Sequence, residues 1–457
     1  MRSTNMRLVC TIVMLSLIVG ATYIGAAQKT ELILTTHNIL PFGSSEQFQE
    51  QLKEFEVYMS KKGTPVKIEF KNFMGTDIQY TTKSILDLRA GRGGDVLMVE
   101  TGRGQGYMRA GYLSPLNKYV EEWEPWEQVI DIFRQRMKWQ DHVYMIPLQS
   151  CSIPLYYRKD LFKKAGLNPE WQPRSWDDII QTAEKIKTIF PEVVPLFYTG
   201  GKEAGLQVTF SKFNVLMHGA GETLYDKEEE KWIVASEPLL KTLEFYEEIT
   251  KRGLIDPKLC VRADADDTGY KGFSEGKIAI YQVGSWAYVF FWGPGRSYEI
   301  PNREEVVGYA KVPSRVPGAS VRGQDFVSQS GGWNWTIPLS SKNKDLAWEL
   351  IKFLCEPDRL ALANSSRGQV AVRWDVINNP IYQKNKFLAE VSKWLKYTYI
   401  GPCDNPGWFS ITQPLIAREL GEIMTGKKNA KEAMKSFAAG MEINLGADKI
   451  IYKYKFE

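Results

Sequence analysis

Downstream of Gln28, apolar and polar positions alternate in a rhythm that predicts strand and helix by turns. Glu31-Leu-Ile-Leu34 has the pattern of a short buried strand, and the polar run Thr35-Thr-His-Asn38 predicts a loop after it. Phe48, Leu52, Phe55 and Tyr58 recur at helical spacing, ahead of a second strand near Val66-Lys-Ile-Glu-Phe70. A helix around Thr82 to Ala90 then leads to the strand Asp95-Val-Leu-Met-Val99, which ends in Glu100. This β-α-β-α-β order predicts an α/β protein with mostly parallel sheets flanked by helices. Ser175-Trp-Asp-Asp178 opens an apolar-periodic run to Ile189. Its serine oxygen can accept from a first-turn N–H, and its aspartates suit the positive helix end. Ser340-Ser-Lys-Asn-Lys344 opens a helix with Leu346, Leu350, Phe353 and Leu354 on one face. Helices over Ile411 to Met424 and Ala430 to Ile443 close the chain.

Between them, Phe273-Ser-Glu-Gly-Lys-Ile-Ala-Ile-Tyr-Gln-Val-Gly-Ser-Trp286 reads as a glycine stop, a buried strand from Lys277 to Tyr281, and a Gly-Ser turn. The turn presents Trp286 just outside the carboxyl end of a strand, where open α/β sheets bind ligands. An indole there offers a flat face and one N–H donor. Thr36-His37-Asn38, Glu100-Thr101 and Tyr198-Thr-Gly-Gly201 are also polar or aromatic residues at strand ends. If these strands belong to two facing sheets, the loops converge on one crevice.

Length and composition narrow the reading. At 457 residues the chain exceeds one ordinary core, and two lobes are expected. Met1 to Arg7 carries two arginines, Leu8 to Ile24 is uncharged and apolar, and Gly25-Ala-Ala27 supplies small residues for cleavage. Residues 1–27 therefore read as a secretory signal, and the mature protein as exported and soluble. Of 58 basic residues, the loss of Arg2 and Arg7 leaves 56 against 54 acidic, a net +2 that gives no support for a nucleic-acid partner. Cys10 lies inside the apolar part of the signal, away from the place of a lipidated cysteine. Cys151, Cys260, Cys355 and Cys403 remain, either paired or as buried thiols.

Catalytic and metal-binding patterns are absent from the sequence. His37, His142 and His218 have no ligand spacing, and there is no nucleophile elbow, Cys-x-x-Cys or phosphate loop. Tyr156-Tyr157 lies in a predicted strand, where adjacent side chains face opposite ways and do not meet at one ferric ion. The positive signal is aromatic. Fourteen tryptophans include Trp286, Trp333, Trp335, Trp374 and Trp408 in glycine-rich or polar surroundings, where indole faces can stack on sugar rings.

Taken in order, several segments resemble the extracellular solute-binding proteins (family 1), the maltose-binding-protein-like receptors that feed sugars to ABC importers. They are Gly94-Asp-Val-Leu-Met-Val99, Gly111-Tyr-Leu-Ser-Pro-Leu-Asn117, Ile146-Pro147 with Leu155-Tyr-Tyr-Arg-Lys-Asp-Leu-Phe162, Ser175-Trp-Asp-Asp178, Phe273 to Trp286, Gly331-Gly332 with Ser341-Lys-Asn-Lys344, and Thr425-Gly-Lys427. The resemblance implies two α/β lobes joined by hinge crossovers near 149–152, 331–335 and 369–374. Residues 28–149 with 336–370 would form one lobe, and 152–330 with 373–457 the other. It also implies an exported, non-enzymatic, monomeric receptor without metal or cofactor, which delivers a carbohydrate to the permease subunits of an ABC importer. Candidate ligand contacts are His37, Asn38, Glu100, Gln149, Tyr198, Trp286, Trp333, Trp335, Trp374 and Trp408. Cys151 stands where the family's maltose-binding members place a sugar-contacting glutamate, so maltose itself is not implied. Two other readings stay open, a secreted carbohydrate-active enzyme and a ferric-iron receptor on the same fold.

Overall fold

The computed structural model describes residues 29–37, 44–75 and 77–456. The signal segment and Asn38 lie outside them. Strands β1 (Thr30–His37), β2 (Val66–Phe73) and β3 (Val96–Glu100) alternate with helices α1 (Ser45–Lys61), α2 (Asp77–Arg89) and α3 (Thr101–Arg109). Then come β4 (Ile146–Pro147), β5 (Pro154–Arg158), α4 (Trp176–Ile189), β6 (Val194–Phe197), α5 (Ala265–Ser274) and β7 (Ile278–Gln282). Strands β8 (Val307–Pro313), β9 (Phe326–Ser330) and β10 (Trp333–Thr336) precede α6 (Lys344–Leu354), α7 (Pro357–Arg367) and β11 (Thr398–Ile400).

The strands form two main sheets, one in the order β2-β1-β3-β10-β4 and the other β11-β9-β8-β5-β7-β6. Parallel pairing joins β1 to β2 and β3, β6 to β7, and β9 to β11. The other pairs are antiparallel. The sheets are thus mixed where mostly parallel ones are expected from the strand-helix rhythm. The physical reason lies in the connections. Strand β10 reaches its sheet straight from β9 of the other sheet, without a crossover helix, so it is free to enter antiparallel.

Local chemistry sets the elements. Helix α1 buries Phe48, Leu52, Phe55 and Met59 along one stripe, and Ser44 caps it by accepting from the Gln47 N–H. Ser175 caps α4 by accepting from the Asp178 N–H, as its sequence predicts. The predicted loop Thr35–His37 is instead the end of β1, paired residue for residue with Lys71–Phe73. Tyr156 and Tyr157 diverge: Tyr156 packs on Trp292, Tyr157 on Phe162 and Trp171. Cys151, Cys260 and Cys355 are buried free thiols, each pushed up to about 12 by burial and so held unreactive. No helix of the described residues is long and apolar enough to cross a membrane.

One core group has a pH consequence. His218 is buried against Tyr399 at 4.1 Å, its Nδ1 without a hydrogen-bond partner. Burial, with Arg322 nearby, lowers it from 6.5 to about 3. Between those values the unfolded chain binds one proton more than the folded chain. Stability from this group is therefore full above the unfolded value and falls as pH drops, by about 1.4 kcal/mol per pH unit. Urea unfolding at pH 7 and pH 5 is expected to cost the native protein about 2 kcal/mol more than His218→Gln. Equal losses in the two proteins would refute the assignment.

Candidate functional site

Three backbone segments run side by side where the chain passes between the sheets. The Ser150 N–H donates to the Val370 carbonyl at 2.7 Å, and the Val370 N–H to the Ser150 carbonyl at 2.9 Å. The Leu148 N–H donates to the Trp333 carbonyl at 3.0 Å, and the Gly332 carbonyl accepts from both the N–H and the hydroxyl of Thr101 at 2.9 Å. Narrow, hydrogen-bonded crossings of this kind let two rigid bodies bend about a few backbone dihedrals.

Beside these crossings lies a cavity of about 360 Å³, walled from both sheets by Glu100, Trp286, Trp333, Phe210, Asp266 and Arg367 among others. That volume falls in the range of small-molecule sites, ~300–1,000 Å³. Trp286 reaches it by the turn its sequence predicts. Strand β7 ends at Gln282, and a π-helical turn, Ala287–Phe291, begins directly after the indole. The ring lies over Gly284, where an added Cβ would stand 1.9 Å from it, so only glycine admits this fold-back. The indole N–H donates to the Tyr270 hydroxyl at 2.9 Å, and Tyr270 in turn stacks on Phe291 at 3.8 Å. The N–H is therefore engaged by the protein, and the ring face is what Trp286 offers a ligand.

Trp333 and Trp335 share one face of β10. Trp335 is covered by Phe48 of α1 and fully buried, with its Nε1 unpartnered. Trp333, at the crossover end, stays on the cavity wall. His37 stacks on Trp333 at 5.5 Å and donates from Nε2 to the Gly75 carbonyl at 3.0 Å, which places it behind that wall. Gln149 is buried at the first crossover, off the wall, with Oε1 unpartnered.

The remaining candidates do not reach this cavity. Tyr198 is 0 % exposed, its hydroxyl donating to Gln282 Oε1 at 2.8 Å and its ring packed on Phe245 and Tyr246. A strand end predicts position along the sheet, but the helix layer over Tyr198 closes it off. Trp408 is stacked on Trp232 and borders a separate cavity, with Arg103, Tyr107 and Phe409. Trp374 is 51 % exposed at the start of a short helix and is not part of the wall. The cavity instead gathers Phe210, Tyr270, Phe290, Arg367 and Gln369, which sequence reasoning missed. Arg367-Gly-Gln369 carried one signal, a helix stop beside a predicted crossover.

Charge in the wall is largely answered by the protein. Glu100 caps α3, accepting from the Arg103 N–H at 3.1 Å, and burial raises its carboxyl above the usual range despite Arg103 and Arg136. Asp266 faces the fully buried Lys212 at 3.6 Å. Burial raises the Asp266 carboxyl and lowers Lys212, each shift favouring the neutral form against their mutual attraction.

The profile of the bacterial extracellular solute-binding proteins matches residues 43–358. A binding protein of Brucella abortus (strain 2308) is 26% identical over 358 residues, 78% of this chain and 81% of that one. Among solved structures, maltose-bound MalE3 of T. maritima superposes with a TM-score of 0.75 at 19% identity, covering 91% of this chain and 100% of its own. A solute-binding protein from Agrobacterium vitis S4 with bound D-mannitol gives 0.69 at 21% identity, covering 91% and 98%.

Proposed function

The chain belongs to the family of bacterial extracellular solute-binding proteins, and from that membership we propose that it captures a sugar in the cavity between its lobes and presents it to an ABC importer permease. The observation that carries this reading is the cavity wall, which Trp286 and Trp333 share with Glu100 and Gln369 beside the crossovers. Apolar C–H faces of a sugar ring stack on indole while its hydroxyls bond carboxylate and amide oxygens. Maltose and D-mannitol in the similar structures support a polyhydroxyl ligand.

In this reading residues 28–149 with 336–370 move against 152–330 with 373–457, and closure excludes water from the stacked ring. The chain is exported through its N-terminal signal and acts as a monomer outside the cytoplasm. Family and fold are those of binding proteins. The contacts we assign to ligand are Trp286, Trp333 and Glu100, with His37 holding the Trp333 ring from behind.

A thermal-shift screen against mono- and oligosaccharides, followed by calorimetry, tests the proposal. A stabilising sugar should be recovered intact, and Trp286→Ala should weaken its binding by about 1–3 kcal/mol, roughly 5- to 150-fold. Sugar cleavage would replace the receptor reading with an enzymatic one. Unchanged affinity in the variant would remove Trp286 from the site.

A further inference from the structure

Among the described residues the buried arginines are paired, with one exception at the cavity. Arg136 donates to both carboxylate oxygens of Asp404, at 2.9 and 2.7 Å. Arg373 holds Asp375 and donates to the Cys355 carbonyl at 2.7 Å. Arg367 is 8 % exposed and lines the cavity, yet among the described residues it has no hydrogen-bond acceptor and no carboxylate partner. Its guanidinium centre lies 3.8 Å from the centroid of the Phe290 ring, and Arg296 approaches the same ring at 5.1 Å. Burial and Arg296 together lower Arg367 to about 10, so it stays charged at neutral pH. Position in the last turn of α7 offsets part of that charge through the helix dipole. A ring face and a dipole leave the N–H donors without a protein acceptor among the described residues, open to the cavity that Arg367 lines.

Two residues on, Gln369 is also buried on the cavity wall, with a side-chain amide that has no partner among the described residues. The acids of the wall are answered within the protein, Glu100 by the first turn of α3 and Asp266 by Lys212. The unanswered charge in the cavity is therefore positive.

We propose that the ligand is an acidic sugar, whose carboxylate or phosphate group is received by Arg367 with Gln369 beside it. This rests on the sugar-receptor reading and narrows it. A planar guanidinium binds either oxyanion through two parallel N–H bonds, which a neutral hydroxyl cannot match.

Calorimetry with uronic-acid disaccharides, hexose phosphates and their neutral counterparts decides it, on the native protein, Arg367→Gln and Arg367→Lys. In the native protein one acidic class should bind at least about ten-fold more tightly than its neutral counterpart, and the class that binds separates carboxylate from phosphate. Arg367→Gln should lower the acidic sugar's affinity at least about ten-fold more than the neutral sugar's, with Arg367→Lys in between. A neutral sugar bound as tightly as the acidic one by the native protein overturns the proposal and leaves the sugar reading standing. Equal losses for both sugars in Arg367→Gln and Arg367→Lys also overturn it, since they mark a structural role. Binding of no sugar in either class overturns both readings.

Discussion

Gly332→Ala is expected to destabilise the protein by about 3 kcal/mol or more, while Gly106→Ala leaves it unharmed. A Cβ at Gly332 would stand 1.9 Å from the Gln149 carbonyl oxygen and 3.0 Å from its carbonyl carbon. Neither side can yield cheaply. Gly332 is held through its own carbonyl by Thr101, and the Gln149 segment is held by Leu148 to Trp333 and by Ser150 to Val370. The close approach is what brings two crossing segments together beside the cavity, so the substitution separates the strands about which the lobes bend. Gly106 lies on α3 with nothing within 4 Å of an added Cβ, so alanine there gains helix propensity. Thermal unfolding of both variants checks this, with a fall of roughly 3 °C or more expected for Gly332→Ala. A midpoint equal to that of the native protein would mean the crossings are looser than their hydrogen bonds imply.

That glycine illustrates what was legible in the chain. Gly331-Gly332 stood out in sequence as a motif, but the need for glycine comes from Gln149, far away in sequence and adjacent in space. Local rules served where the cause is local. The stripe of Phe48, Leu52 and Phe55, the Ser175 cap and the Gly284 turn under Trp286 are each set by residues within a few positions. The aromatic candidates divide for the opposite reason. Tyr198, Trp335 and Trp408 have side chains as suited to a sugar as Trp286, but helix α1, Phe245 or Trp232 covers them. Which layer covers a strand end is a tertiary fact. The same holds for Arg367, whose meaning depends on the absence of a carboxylate in space, and no spacing along the chain reports an absence.

Removing one partner of the Arg136–Asp404 pair should be the other large effect. Arg136 belongs to a short helix beside the first sheet, Asp404 to the turn after β11 of the second, and the pair joins the two through parallel N–H bonds. The Arg136 side chain is 3% exposed and that of Asp404 19%, so water does little to replace a lost partner. Arg136 also donates to the Ser330 carbonyl at 3.3 Å, immediately before the Gly331-Gly332 crossing, which ties the pair to the bending backbone. Asp404→Ala removes the carboxylate that accepts two of the Arg136 N–H bonds, at a cost of about 3–5 kcal/mol. Part of that cost can be relieved without unfolding, because parting of the lobes lets water reach Arg136. Two readouts are therefore expected to move together: a lower denaturation midpoint, and a larger radius of gyration in small-angle scattering of the unliganded protein. Arg136→Met combined with Asp404→Leu removes both charges and should recover most of the lost stability, since an apolar pair of similar size avoids the desolvation that the ion pair must overcome. If Asp404→Ala changes neither midpoint nor radius, the pair contributes nothing to holding the lobes together. If the double substitution is no better than the single one, packing around Arg136 rather than its charge sets the cost.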